Sequence, residues 1–354
     1  MGRRVGDFIS LGGADSGHCP LLGIKLPTHF AFGPYRATYL PTYLPIHSEM
    51  LSLSVTTLGQ AVVLLSALAS VLPGTTAAAA SIPHNDASKI EARAPVPWTA
   101  RHGLTSAQYQ STFDFLASSG YRLAYVAGYT WNNDPRYAAI WDKNVTAAWV
   151  ARHGLTAAQY QQAFDTYTSQ GYRPKHVYGY AVGSSARYAA IWDKTPAPGN
   201  GAWLARHDLG PAQYQQAFDL YRSQGYRLVH VSGYADNGQA RYAALWEKPS
   251  AGYSWVARHG LTSSQYQQAF NDYTSQGYRP VKVSGYVVGG VDYYAAIWDK
   301  APSPPWVARH GLTSDQYQSA VDQWTGQGYR LTVVSAYTMG SNQDRYAAIW
   351  VKDQ

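Results

Sequence analysis

The chain has 354 residues, only 14% of them charged, and a formal net charge of +7. From Trp98 onward it carries 22 Lys and Arg against 16 Asp and Glu, a net charge of +6, and the arginines are spread evenly along the chain. This spread argues against a nucleic-acid-binding stripe, which would gather basic residues on one face. The single cysteine, Cys19, excludes an intramolecular disulfide and a cysteine-based zinc site, so packing must hold the fold together.

The first 97 residues are typical of targeting and spacer sequence. Residues 1–49 show no periodicity, so we expect them to be unstructured and to result from a mispredicted start, with translation beginning at Met50. The apolar stretch Leu58–Leu72 and the small residues after it predict a signal peptide over 50–80, and 81–97 a linker or pro-segment. The sequence thus predicts secretion, with no membrane span in the mature form. Asn144 begins an Asn-Val-Thr glycosylation acceptor.

Residues 98–354 contain one motif five times. A segment like Trp149-Val-Ala-Arg-His-Gly-Leu-Thr is followed in every copy by one like Arg187-Tyr-Ala-Ala-Ile-Trp. The copies start 51 to 54 residues apart, and a period of this size indicates a tandem-repeat architecture. The predicted units are 98–148, 149–202, 203–254, 255–305 and 306–354.

Each unit is predicted to read β-α-β-β. In the second unit a short strand at Trp149–His153 leads to a helix, where Thr156 and Gln159 form a capping box and Gly171 ends the helix. A second strand over Tyr172–Tyr180, a loop of about six residues and a last strand over Arg187–Trp192 complete the unit. The fold class is therefore α+β, with five repeats of about 52 residues. Because the end units carry no polar capping face, we expect them to meet in a ring or propeller-like array.

The repeated motifs resemble the polyglycine hydrolase-like tandem repeat found in fungal proteins. In the fungal polyglycine hydrolases such repeats precede a β-lactamase-like serine protease domain that carries the nucleophile. The resemblance therefore implies the repeat fold and secretion. No Ser-x-x-Lys is present in the array, so the resemblance brings no catalytic residue to this chain.

Two repeated polar patterns are interpreted as parts of the scaffold. An Arg-His pair occurs in every unit, as at Arg152-His153, and could form a metal or anion site or pack against a neighbouring element. We favour packing, because a feature copied five times usually serves the copied fold. The helix acid and strand arginine of one unit, such as Asp165 and Arg187, are both replaced in the fourth unit, which predicts an ion pair within each unit.

Ten of the twelve tryptophans mark repeated strand positions and are predicted to lie in the core. Trp324 falls on the apolar face of a helix and is predicted to be core as well. Trp131 lies in a predicted hairpin loop and is expected to reach solvent. The five hairpin loops differ between units, and variable loops on a repeated scaffold are a common recognition surface. The candidate ligand-binding residues are Trp131, Asn132, Asn133, Asp134, Asp236, Asn237, Asp292 and Asn342.

The sequence therefore predicts a secreted, cofactor-free and non-catalytic module that recognises an extracellular polysaccharide or protein. One alternative is an enzyme, either a stand-alone hydrolase or the accessory domain of a polyglycine hydrolase-like serine protease. A second alternative is a structural protein of the cell surface. No catalytic, cofactor-binding or metal-ligating residue is predicted.

Overall fold

The structure, a computed structural model, describes residues 96–143, 147–199, 201–249, 252–340 and 342–353. These residues form five units of one strand, one helix and two further strands, which confirms the predicted β-α-β-β order. The predictions for residues 1–49 and 50–80, for most of 81–97 and for the acceptor Asn144 lie outside the described residues. None of the described helices is both long and apolar enough to cross a membrane.

The elements are, in chain order, β1 (Trp98–Thr105), α1 (Ser106–Ser118), β2 (Arg122–Trp131), β3 (Asp134–Asp142), β4 (Trp149–Leu155), α2 (Ala157–Ser169), β5 (Arg173–Val182), β6 (Ser185–Asp193), β7 (Trp203–Leu209), α3 (Pro211–Ser223), β8 (Arg227–Asp236), β9 (Gln239–Glu247), β10 (Trp255–Thr262), α4 (Ser263–Ser275), β11 (Arg279–Val288), β12 (Val291–Asp299), β13 (Trp306–Leu312), α5 (Ser314–Gly326), β14 (Tyr329–Met339) and β15 (Gln343–Lys352).

Each unit has its own three-stranded antiparallel sheet, in which the last strand lies in the middle. In the second unit the order is β4-β6-β5. The central strand β6 places Trp192 opposite Val150 of β4 and Pro174 of β5. A bulge interrupts each of the two pairings, and the bulge of β4 falls at the Arg-His-Gly sequence, where Gly154 has φ +69°.

The helices begin and end where the sequence predicts. Thr156 accepts a hydrogen bond from the backbone N–H of Gln159, and the Gln159 side chain accepts one from the backbone of Thr156, so the capping box is present. The third unit uses Gly210 followed by Pro211 instead. Gly171, at φ +80°, follows the last helical turn. Each helix has 13 residues.

The predicted tryptophan core is confirmed for five of the ten repeated positions. The tryptophans of the central strands are fully buried, and they are Trp141, Trp192, Trp246, Trp298 and Trp350. The tryptophans that open each unit are half-buried instead, because they lie at the first residue of an outer strand. Trp324 is half-buried and packs against the core. None of the five buried indole N–H groups has a hydrogen-bond partner among the described residues.

Neighbouring units contact each other through tyrosines. The hydroxyl of Tyr188 in the second unit lies 2.8 Å from that of Tyr234 in the third. The same pairing joins Tyr137 to Tyr180, Tyr242 to Tyr286 and Tyr294 to Tyr337. Beside each pair a glycine lies so close to the tyrosine ring that a Cβ atom would overlap it, as at Gly179 and Tyr234. The units are therefore packed backbone against ring.

The first and fifth units also contact each other. Tyr129 and Tyr346 make the same hydroxyl pair at 2.8 Å, and Arg330 forms an ion pair with Asp142 at 2.6 Å. His102 of the first unit packs against Tyr346 with its ring centroid 5.5 Å away. The contacts that join consecutive units thus also join the two end units.

The predicted ion pair within each unit is wrong. Asp165 accepts a hydrogen bond from Gln161 on its own helix, and Arg187 donates to the carbonyl of Ala186. Asp165 is exposed, so an amide one helical turn away satisfies it. The acid of the second unit that does form an ion pair is the buried Asp193, which follows the core Trp192 and pairs with Arg122 of the first unit.

Four of the six ion pairs among the described residues join different units, and the pairs Arg241–Asp208 and Arg279–Asp299 each lie within one unit. Arg122 of the first unit contacts Asp193 of the second at 3.1 Å. The further pairs between units are Arg173 with Glu247, Arg227 with Asp299, and Arg330 with Asp142. In the fifth unit Val351 takes the place of the acid, and Arg279 of the fourth unit turns to its own Asp299 at 3.0 Å.

Candidate functional site

The hairpins between the second and third strands are shorter than predicted. Where the sequence predicts loops of about six residues, the strands continue and leave turns of only two residues in four units and three in the fifth. Asn132 and Asn133 have φ of 49° and 61°, as a type I′ turn requires. Such turns match the twist of the flanking strands, so pairing extends to the tip.

The candidate ligand-binding residues fall into two groups. Trp131 is the last residue of β2, not part of a loop, and is half-buried, while Asn132, Asn133 and Asp134 are exposed beside it. Asn342 contacts this group, since its side chain accepts a hydrogen bond from the backbone N–H of Asn132 at 3.0 Å.

The other candidates lie on hairpins of the third and fourth units. The Asp236 carboxylate accepts a hydrogen bond from the backbone of Ala186 at 2.9 Å, and the backbone of Asn237 donates to the carbonyl of Ser184 at 2.7 Å. Asp292 accepts from the hydroxyl of Tyr294 at 3.2 Å. These three residues therefore stabilise contacts within and between hairpins.

A cleft of about 630 Å³ lies between the first and fifth units. Its wall contains Trp131, Asn342 and Asp344, together with Arg136 and Arg345. Burial raises the pKa of Asp344 above its usual value. We call this the Trp131 cleft. It brings two of the eight candidates, Trp131 and Asn342, into one wall.

Residues of all five units line a second, smaller cavity of about 270 Å³. Each unit contributes the tyrosine of its second strand, and these are Tyr129, Tyr180, Tyr234, Tyr286 and Tyr337. Tyr178 also lines the cavity, and its hydroxyl lies 2.7 Å from the Ser335 hydroxyl of the fifth unit. We call this the hairpin-end cavity.

The Arg-His pairs serve packing, as predicted. His153 stands edge-on to Tyr109 and Tyr137 of the preceding unit, with ring centroids 4.7 and 5.1 Å away. The histidines His102, His207, His259 and His310 make equivalent contacts. Burial lowers the pKa of all five. Among the described residues no three His, Cys, Asp or Glu side chains stand close enough to hold a metal ion.

Sequence reasoning missed a cluster on the second strands. Tyr125, His176, His230 and Lys282 come from four different units and lie together. The ring of His176 is 4.2 Å from that of Tyr125 and 4.6 Å from that of His230, and the Lys282 amine is 5.1 Å from the Tyr125 ring centroid. We call these four residues the central cluster. The fifth unit places Val333 at the equivalent strand position.

Each histidine of the central cluster is held by the preceding unit. The Nε2 of His176 donates to the carbonyl of Val126 at 2.6 Å, and that of His230 to the carbonyl of Val177 at 2.7 Å. The carbonyl partner fixes the tautomer, because only a protonated nitrogen can donate. The Nδ1 of His230 is buried and has no partner in the described part of the chain.

Burial dominates the electrostatics of the central cluster. It lowers the pKa of His230 to about 3, with a further contribution from Lys282, and lowers the pKa of His176 as well. Burial, followed by the charge of Lys175, lowers the pKa of Lys282 to about 8. In each case the desolvated charged form is the one disfavoured. The two histidines are therefore neutral near pH 7.

A pocket of about 420 Å³ lies beside the central cluster, and Lys282 is among the residues that line it. Its apolar wall consists of Leu228, Val229, Val281, Pro249 and Tyr253. Apart from Lys282, its charged residues form ion pairs with each other or with neighbouring residues, as Arg227 does with Asp299. We call this the Lys282 pocket.

The repeated helix-capped sheets, packed by tyrosines and by ion pairs between units, define a tandem-repeat α+β protein. A family profile described as polyglycine hydrolase-like, structural repeat matches residues 95–144, 146–195, 200–249, 252–301 and 303–353. The chain belongs to this polyglycine hydrolase-like structural repeat family, as the resemblance of its motifs implies.

Proposed function

We propose that the protein is an extracellular, non-catalytic binding module that recognises an oligosaccharide segment of a polysaccharide through the Trp131 cleft. The observation that carries this proposal is the composition of the cleft wall. Trp131 offers an apolar face, while Arg136, Arg345 and Asp344 offer charged hydrogen-bonding groups around it. Ligand sites commonly combine an aromatic surface with a few placed polar groups.

The residue that distinguishes the cleft, Trp131, is not repeated in the other units, which favours a binding role over a purely structural one. At the strand position of Trp131 the other units carry Val182, Asp236, Val288 and Met339. A residue that packing required would recur in each unit, as the buried tryptophans do. Variation on a repeated rigid scaffold is the usual origin of a specific surface.

The proposal includes a closed ring of five units. It is supported by the Tyr129–Tyr346 pair and the Arg330–Asp142 pair, which repeat between the end units the contacts of consecutive units. It is also supported by the hairpin-end cavity, to which every unit contributes. A ring needs no polar end caps, in agreement with the apolar signatures of the first and fifth units. In this arrangement the Trp131 cleft lies where the ring closes.

Secretion is part of the proposal and rests on the sequence pattern over 50–80. N-terminal sequencing of the protein recovered from culture medium tests it. We expect a mature start within 81–97, and an intact peptide from 50–80 in the secreted protein would contradict the signal peptide.

Retention of the full chain on insoluble chitin, β-glucan and cellulose tests recognition. Trp131→Ala should weaken retention on one of these polymers by at least about tenfold, the effect of losing about 1.4 kcal/mol of contact. Val182→Ala is the matched control, because Val182 occupies the same strand position in the second unit. It should leave retention unchanged.

The same variants distinguish a polysaccharide ligand from a protein ligand. Capture of a single extracellular protein that depends on Trp131, without retention on any polymer, would replace the polysaccharide by a protein ligand. Equal retention of the wild type and Trp131→Ala would remove the cleft from the proposal.

A further inference from the structure

Lys282 differs from the other lysines of the array in its surroundings. Five of them, Lys143, Lys194, Lys248, Lys300 and Lys352, stack over tyrosines of their own unit near the start of the second strand. Lys282 instead belongs to β11, is half-buried, and has its amine over Tyr125 of another unit. No carboxylate of the described residues lies within ion-pair distance of its amine.

The groups that face Lys282 are neutral or positively charged. Tyr125 on β2, His176 on β5 and His230 on β8 surround it, and Lys175 adds a second positive charge. The nearby acids Asp299 and Glu247 are engaged by arginines. Desolvation and a neighbouring cation are the two conditions that make a lysine amine a nucleophile near neutral pH.

We propose that Lys282 forms a reversible imine with an aldehyde or ketone whose small apolar group occupies the Lys282 pocket. The pocket volume of about 420 Å³ lies in the range of small-molecule sites, and its wall contains Leu228, Val229 and Val281. This inference concerns a different site from the Trp131 cleft and does not depend on it.

The reaction needs no oxidant or reductant. The neutral amine nitrogen of Lys282 forms a bond to the carbonyl carbon, and a proton moves from nitrogen to oxygen to give a carbinolamine. Loss of that hydroxyl as water, together with the remaining N–H proton, leaves the C=N double bond. Addition of water reverses both steps, so the ligand is bound covalently but released unchanged.

The pKa of about 8 supports this chemistry. At pH 7.5 about a quarter of such an amine is neutral, against about 0.1% of an amine with the usual lysine pKa of about 10.4. The lower basicity makes each neutral amine less nucleophilic. We therefore expect a net rate advantage on the order of tenfold.

Reductive trapping on the full chain tests the proposal. The protein is incubated with 3-methylbutanal and cyanoborohydride at pH 7.5, and alkylation of each lysine is followed by peptide mass spectrometry. We expect Lys282 to react about tenfold faster than Lys300, the lysine of the same unit that stacks on Tyr278. Equal rates, or a slower Lys282, would overturn the proposal without any variant.

Two further arms test the cause and the ligand class. The rate at Lys282 should level off above about pH 8.5, while the rate at Lys300 keeps rising, and a continued rise at Lys282 would contradict a perturbed amine. Glyoxylate, a charged aldehyde, should react with Lys282 more slowly than 3-methylbutanal does, relative to their rates at Lys300. The opposite order would exclude an apolar ligand. Lys282→Arg should abolish only the fast reaction.

Discussion

The hydroxyl groups of Tyr129 and Tyr346 lie 2.8 Å apart, although 217 residues separate them in the sequence. The pair Tyr188 and Tyr234 has the same 2.8 Å separation across only 46 residues. One contact thus joins the end units in the way that the other joins consecutive units. The two pairs can be compared directly. Tyr129 and Tyr234 occupy equivalent positions on the second strands of their units, and Tyr346 and Tyr188 occupy equivalent positions on the last strands.

A double-mutant cycle on each pair measures the contact between the end units. Tyr129→Phe or Tyr346→Phe alone removes the hydrogen bond between the two hydroxyls, at a cost of about 0.5–1.5 kcal/mol in the free energy of unfolding. The double variant should cost less than the sum, with a coupling of about 1 kcal/mol. Urea unfolding of the four proteins gives this coupling.

The cycle on Tyr188 and Tyr234 is the reference. It should give a coupling of similar size, because the geometry is the same. A coupling near zero for Tyr129 and Tyr346, with a normal value for the reference pair, would mean that the end units do not meet in solution.

Substitution of Gly179 tests the packing of backbone against ring. A Cβ at this position would overlap the ring of Tyr234, so Gly179→Ala should lower the free energy of unfolding by at least about 1–3 kcal/mol. The fifth unit already carries alanine at the equivalent position, Ala336. Ala336→Gly should therefore cost less than about 1 kcal/mol. Equal effects of the two substitutions would contradict the close packing at Gly179.

The ion pair between units predicts that substitution of Arg122 and of Arg187 lowers the free energy of unfolding by different amounts. Arg122→Gln leaves the buried Asp193 without its charged partner and should cost about 3 kcal/mol or more. Arg187→Gln removes the same charge, but among the described residues the Arg187 guanidinium hydrogen-bonds to the carbonyl of Ala186 and forms no ion pair, so it should cost less than about 1 kcal/mol. Denaturant unfolding compares the two. A larger loss of unfolding free energy for Arg187→Gln than for Arg122→Gln would contradict this assignment and favour an ion pair of Arg187 with Asp165.

The repeat explains why so much of the fold was predictable. Helix limits follow from local chemistry at Thr156, Gln159 and Gly171, and each signal is confirmed several times over. Interactions between units were not predictable in the same way. The sequence shows that the positions of Asp165 and Arg187 are both replaced in the fourth unit. It does not show that Asp165 is exposed while Asp193 is buried.

The candidate sites show the same limit. Trp131 was found because a tryptophan occurs there in one unit only, and it lines a cleft. The central cluster was missed, although its repeated strand position also varies between units, as Tyr125, His176, His230 and Lys282. On a strand such variation looks like tolerated core substitution. Only the contacts between four units bring these residues together.

Burial of His230 makes the stability of the protein depend on pH. The folded protein holds the pKa of this histidine at about 3, while in the unfolded chain the pKa is about 6.5. Above pH 6.5 both states are neutral, and the packing of the imidazole contributes fully to stability. As the pH falls from 6.5 toward 3, only the unfolded chain takes up the proton, and stability falls by about 1.4 kcal/mol per pH unit.

His230→Gln isolates this effect, because glutamine stays neutral and its amide can still donate to the Val177 carbonyl. Between pH 6.5 and pH 4.5 the wild type should lose about 2 kcal/mol more than the variant in the free energy of urea unfolding. The other histidines and the carboxylates are present in both proteins, so their contributions cancel in the difference. If the two stability curves run parallel across this range, His230 takes up its proton in the folded state and is not held neutral by burial.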